Sequence, residues 1–407
     1  MLRPVVLALA VLLPALTGIA EAQNRDLRTV FTAPIAIERS EPVTEIPIDF
    51  RFGKLFIAAR VNGEDSEFIF DTGSPTILSR ALADTLDLVT IGQNTGVDAN
   101  GTAVTMDVAI AASIELGGVR FIDVPVLVFD YSGVDPGGCI FTGGVIGSEI
   151  LPGSAWRIDM QRMTLGIAES TDVWPAAEDG IRTPLHDFGY PHAPVIDYSV
   201  GDISDRALFD TGSPDQVALF ARVAEHESVL DGFVDGSVMR GRGYEGVSAG
   251  GSGDLEPLIR ATLSDFRAGS HQLGPVRASV RGVPPTLLGA GILDRQIVTL
   301  DYPAGQVLLA ARSEPAEARR EAGYGVQAIG GEVRIMRVFD GSHAASAGLE
   351  PGARVLAIGD RSLTSETPET QCDTVRWLLD GFDPADAQSL LVDGEEGPVV
   401  INVPATE

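Results

Sequence analysis

Cysteine is scarce: Cys139 and Cys372 are the only two in 407 residues. That excludes a disulfide scaffold and any Cys-rich metal or iron–sulfur site. The two lie far apart, in segments of different texture, which argues against their pairing. Positive charge is scarce as well. Acidic residues number 57 against 29 basic ones, for a net charge of −28. A nucleic-acid binder needs a basic face, and an anionic membrane surface repels such a chain. Neither is an expected partner. Lysine is almost missing: Lys54 stands alone among 28 arginines, a fact that carries no mechanism by itself. His186, His192, His226, His271 and His343 show no paired ligand spacing such as H-E-x-x-H, so no metal is expected. What is abundant points to a globular, β-rich chain. Hydrophobic residues make up 44%, and 46 Gly with 25 Pro imply many turns.

The N-terminus reads as a secretory signal over residues 1–22. Arg3 supplies the charge, residues 4–20 are apolar but broken by Pro14, and Ala20-Glu21-Ala22 is a small-x-small cleavage site. The alternative is an uncleaved membrane anchor. No later stretch approaches the ~18 apolar residues of a membrane span. An exported protein, periplasmic or secreted, with no membrane span after cleavage is the expectation. Residues 23–43 read as an N-terminal tail, open between a short pro-segment and a mere tail.

The body of the chain is a repeat. Phe68-Ile69-Phe70-Asp71-Thr72-Gly73-Ser74-Pro75 recurs as Ala207-Leu208-Phe209-Asp210-Thr211-Gly212-Ser213-Pro214. Each copy is preceded by a strand and a tight turn, at Asn62-Gly63 and Gly201-Asp202. Each is followed, 76 and 79 residues after its aspartate, by an apolar-apolar-Gly segment: Val145-Ile146-Gly147 and Leu287-Leu288-Gly289. Each repeat closes in a strand pair. Two homologous β lobes, 44–172 and 173–313, follow. A charged linker spans 314–322, and a small α+β module spans 323–407.

A duplicated Asp-Thr-Gly has a chemical purpose. Two carboxylates held together cannot both ionise cheaply, so one keeps a proton while the other serves as a base. Such a pair activates a water for attack on a carbonyl held by the protonated member. Gly73 and Gly212 would turn the loop tightly, Thr72 and Thr211 would bind backbone across the pseudo-twofold, and Ser74 and Ser213 would hydrogen-bond each aspartate from outside. Residues 44–313 therefore resemble the pepsin/retropepsin family of aspartic proteases, with lobes closer in size to retropepsin-like units. The resemblance implies a mostly β, bilobal fold around a cleft, catalysis by Asp71 and Asp210, a peptide or protein substrate, and no metal or organic cofactor. It also implies a flap. The first lobe's candidate, Gly96–Thr105, has no tyrosine, whereas the second lobe carries Tyr244 in a Gly-rich stretch, so the choice between them stays open.

The C-terminal module resembles a PDZ domain of the bacterial protease type, on Tyr324-Gly325-Val326 and on Gly341–Gly352. That implies an extended C-terminal peptide as ligand, with Tyr324, Gly325 and Val326 at the carboxylate-binding loop, and a role in substrate recruitment or regulation. Other readings are weaker. A non-catalytic peptide-binding protein would not need both acids. Gly241–Gly246 matches a dinucleotide fingerprint and Gly246-Val247-Ser248-Ala249-Gly250 a hydrolase nucleophile elbow, but neither sits in a strand–turn–helix context.

Overall fold

The computed structural model describes residues 27–406 except 135, 175–179, 245, 317–319, 321, 365–366 and 395. The expected signal peptide lies outside the described residues, as does part of the expected linker.

Alternation of apolar and polar residues makes strands, and two large sheets dominate. The first is built from Ala36–Arg39, Asp49–Arg51, Lys54–Val61, Glu64–Phe70, Ile77–Ser79, Gly92–Val97, Ala103–Leu116, Val119–Phe129 and Gly144–Ile146. Its first strand comes from the segment read as a tail, and Ala36 pairs with Ile122. The second sheet begins with Val43–Pro47, Thr164–Ala168 and Ala155–Asp159. It passes through Gln296–Asp301 and Gln306–Ala311 into the second repeat. The closing strand pairs of the two repeats thus join edge to edge, Ala155 opposite Asp301. Trp156 lies fully buried beside this junction, stacked between Phe70 and Phe121 at 5.7 and 5.9 Å. Truncating such a ring costs about 3–5 kcal/mol. A single apolar core runs through both repeats.

The internal symmetry is exact where the aspartates sit. Phe68, Ile69 and Phe70 pair in parallel with Gly144, Val145 and Ile146. Ala207, Leu208 and Phe209 pair in parallel with Thr286, Leu287 and Leu288. In both repeats the same apolar strand then pairs antiparallel with the strand leaving the Asp loop. Gly147 and Gly289 follow because space runs out: a Cβ at either would fall 2.3 Å from backbone of the Asp loop.

The C-terminal segment has its own core around Tyr324, Ile335, Val355 and Leu390. It is not a bead on a string. Strand Glu332–Phe339 pairs with Met239–Gly243 of the second repeat, placing Gly241 opposite Phe339. The expectation of unpaired cysteines is overturned. Cys139, in the short helix Gly137–Ile140, is bonded to Cys372, in helix Pro368–Arg376, with Cα atoms 5.0 Å apart. The docking of these helices brings together residues separated by 233 positions. Arg376 adds a bond to Cys139 O at 3.2 Å. Among the described residues no helix is long and apolar enough to cross a membrane.

Candidate active site

Strands Glu64–Phe70 and Ile203–Asp210 bring Asp71 and Asp210 into the same place. The threonines behind them interlock. Thr72 Oγ1 donates to Phe209 O at 2.7 Å, and Thr211 Oγ1 donates to Phe70 O at 2.8 Å. Each hydroxyl also accepts the other's backbone N–H, at 3.0 and 3.1 Å. Both threonines are wholly buried. All four bonds cross between repeats, so they fix the separation of the carboxylates.

Each carboxylate is held from its own loop. Gly73 N–H donates to Asp71 Oδ1 at 2.9 Å, and Gly212 N–H donates to Asp210 Oδ1 at 2.8 Å. Each carboxylate also faces the opposite loop. A Cβ on Gly212 would lie 2.2 Å from Asp71 Oδ2, and one on Gly73 would lie 2.5 Å from Asp210 Cγ. These glycines are required for room rather than for a left-handed φ. Burial, then the neighbouring Asp210 charge, push the Asp71 carboxyl far above the usual carboxylate range, while Lys54 and the Gly73 N–H pull the other way. Two acids in this relation share one proton across a broad pH range.

The serines behave differently from expectation. Ser74 Oγ donates to Pro75 O at 2.9 Å. Among the described residues neither Ser74 nor Ser213 bonds a dyad carboxylate; the loop bonds to the carboxylates come from the Gly73 and Gly212 N–H groups. Ser148, from the apolar-apolar-Gly turn, instead bonds Ser74 O.

Both candidate hairpins close on the same place, tip to tip. The first-repeat hairpin, Gly92–Val97 with Ala103–Leu116, turns at residues 98–102. Asp98 Oδ2 accepts from Gly250 N–H at 2.8 Å, and Asn100 Nδ2 donates to Gly251 O at 3.1 Å. Ser248 Oγ accepts from Ala99 N–H at 3.4 Å, as a tip residue. That removes the nucleophile elbow. The glycine fingerprint fails as well, since Gly241–Gly243 is paired strand on both edges. Tyr244 faces the C-terminal segment, its hydroxyl 3.4 Å from where a Cβ on Gly352 would stand.

Two further features lay outside the sequence motifs. An apolar cluster of Ile77, Met106, Leu127, Tyr131 and Val145 takes Ala249 from the second hairpin tip, and Leu27 and Phe31 of residues 27–32 pack on it. Tyr131 is buried, its hydroxyl has no partner among the described residues, and burial and the Asp71 charge raise its phenol well above the ordinary value. Glu149, buried to 3% exposure, accepts from Thr76 N–H and Oγ1 at 2.8 and 2.7 Å, and burial pushes it up to about 7. A Glu two residues past the apolar-apolar-Gly was a visible signal, but one without a partner motif.

Tyr324, Gly325 and Val326 open the strand Tyr324–Ile329, far in sequence from the dyad. That strand ends the second sheet, paired among the described residues only with Glu332–Phe339.

Residues 57–150 match the model of a family described as aspartyl protease. The match takes in Asp71 and stops short of the second repeat. The aspartic proteinase from Irpex lacteus is similar in structure at 14% identity and a TM-score of 0.43, covering 67% of this chain and 98% of that one. No curated protein matches the chain. The family match supports a protease role.

Proposed function

We propose that this chain is an aspartic endopeptidase. The observation that carries the reading is the crossed placement of Asp71 and Asp210, each against the other's Asp-Thr-Gly loop and locked by the threonine grip. One carboxylate takes a proton from a water lying between them, and the water oxygen bonds the peptide carbonyl carbon. The protonated carboxyl donates to the carbonyl oxygen as it gains charge. The proton taken from water then passes to the amide nitrogen, the C–N bond breaks, and the dyad returns to its singly protonated state. The second hairpin's tip, through Ala249, and the first hairpin's strand, through Val104 and Met106, lie against the apolar cluster that would receive substrate side chains.

The C-terminal segment is read as a PDZ domain that recruits or regulates substrates. Its support is the edge strand opening at Tyr324-Gly325-Val326, to which an extended peptide could add. An exported location is supported by the Cys139–Cys372 bond, since such bonds persist in oxidising compartments.

The deciding assay uses a peptide whose scissile bond is replaced by a hydroxyl-bearing mimic. Cleavage of the parent peptide and competitive inhibition by the mimic are expected. Tight binding of the parent peptide with no cleavage would leave a peptide-binding protein in its place.

A further inference from the structure

The proposed reaction makes no use of Lys54, the one lysine of the sequence. Its position is nevertheless particular. It follows a tight turn in which Phe52 and Gly53 take left-handed backbone, at φ 56° and 70°, and it opens the strand Lys54–Val61. The turn reaches across to the other repeat, where a Cβ on Gly53 would stand 3.5 Å from Pro214 Cβ. There the Lys54 ammonium donates a hydrogen bond to Gly212 O. Gly212 is the residue whose N–H holds Asp210 and whose Cα faces Asp71 Oδ2. The ammonium is thus bonded to the carbonyl of the same residue whose N–H holds Asp210, close enough for its charge to act on Asp71.

We infer that Lys54 is a positioning residue of the active site: its ammonium holds the second Asp-Thr-Gly loop through Gly212 O and supplies the positive charge that balances the single negative charge of the dyad. This rests on the reading of Asp71 and Asp210 as a catalytic pair. The same ammonium opposes the rise that burial imposes on Asp71. Other charged groups around the site are already engaged. Arg51, on the same hairpin, pairs with Glu67 and Asp49. Asp380 of the C-terminal segment accepts from Phe52 N–H at 2.9 Å. Asp215, beyond the second loop, accepts from Ser279 Oγ at 2.5 Å. The Tyr131 phenol stays neutral. Lys54 bonds the dyad's own loop.

The duplication sharpens the point. Lys54 stands 17 residues before Asp71, and the same offset before Asp210 falls on Ala193. The charge is therefore supplied once, by the first repeat to the second.

The test is the pH profile of kcat/KM for a synthetic peptide, using the full chain and its Lys54→Met and Lys54→Arg variants. A nearby cation favours the ionised form of a carboxyl group. Removing it raises both apparent pKa values of the pair, so Lys54→Met is expected to move both limbs to higher pH, by about half a unit or more. Lys54→Arg is expected to keep the limbs in place. If Lys54→Met fails to fold, acetylation of the folded wild type at its only side-chain amine gives the same readout. A Lys54→Met or acetylated enzyme that turns over more slowly with its limbs unmoved overturns the inference, because a merely structural role would do that. A wild type that neither cuts the peptide nor binds its hydroxyl mimic overturns the dyad reading itself and this inference with it.

Discussion

The two repeats agree at their centres and differ at their edges. Around Asp71 and Asp210 the strand pairings, the threonine bonds and the glycine N–H bonds match one for one. One step outward the match ends. Lys54 faces Gly212, and its counterpart by offset is Ala193. Glu149 braces Thr76, and its counterpart two residues past the second apolar-apolar-Gly is Gly291, where a Cβ would lie 2.7 Å from Gln216 N. The first repeat is tied to the C-terminal segment by a disulfide, the second by strand pairing. The carboxylates must be equivalent in position to share a proton. Their surroundings need not be, and a fused pair of repeats lets them diverge as two identical subunits could not.

The symmetric half of this comparison breaks hardest under Asp71→Asn or Asp210→Asn. Each is expected to lower peptide cleavage by about a hundred- to ten-thousand-fold, the range for loss of a proton-transfer group. Initial-rate assays with matched protein concentrations check it. Mixing the two inactive variants is expected to restore nothing, since both acids come from one chain; recovered activity would mean that repeats pair between chains.

The disulfide probes the asymmetric half. It closes a loop with a sequence separation of 233, for which the chain-entropy argument sets a loss of up to about 5 kcal/mol on removal. Cys139→Ser with Cys372→Ser, followed by urea unfolding, is expected to destabilise the first repeat's contact with the C-terminal segment. The strand pairing at Gly241–Gly243 should survive, read as retained hydrogen-exchange protection there. Loss of protection at both ties would show that they are one cooperative unit.

The grip returns to symmetry on a smaller scale. Thr72→Val leaves Phe209 O and Thr211 N–H buried without partners, and Thr211→Val leaves Phe70 O and Thr72 N–H likewise. At about 1–3 kcal/mol for each orphaned group, both variants should lose several kcal/mol, and the losses should be equal within measurement error. Unequal losses by denaturant midpoint would locate the rigidity in one repeat.

The smallest expected effect concerns Glu149. Its folded pKa, about 7, exceeds the unfolded carboxylate value. Folding therefore favours the protonated form, so stability is fully present below the unfolded pKa and declines as pH rises to about 7. Glu149→Gln keeps an acceptor for Thr76 N–H and is expected to flatten that decline. Melting temperatures from pH 4 to pH 8 would reveal it, and an unchanged slope would remove Glu149 from the account.

These differences explain which parts could be read from residues alone. The repeat, its apolar-apolar-Gly segments and the tight turn before each Asp strand are patterns written twice, and duplication makes a weak motif strong. The tie between Cys139 and Cys372 has no local signature, because it depends on how two helices dock. The meeting of the hairpins at Asp98 and Gly250 is likewise a long-range event. Lys54 was conspicuous as a composition oddity, but its bond to Gly212 O exists only once the repeats are folded against each other. The serines misled for a different reason: proximity in sequence does not fix where a hydroxyl points, and Ser74 Oγ turns to Pro75 O instead.

The Cys139–Cys372 bond also changes what breakage of the chain would look like. Asp210, the second hairpin tip and the strand Met239–Gly243 all lie within the covalent ring it closes. A single cut anywhere inside that ring releases no fragment. A molecule nicked at residues 244–252, by itself or by another protease, keeps both pieces joined, gains only the water of hydrolysis, and runs as one species under denaturing conditions until a reductant is added. Integrity judged by size alone would therefore pass damaged and intact molecules alike, and only reduction would sort them.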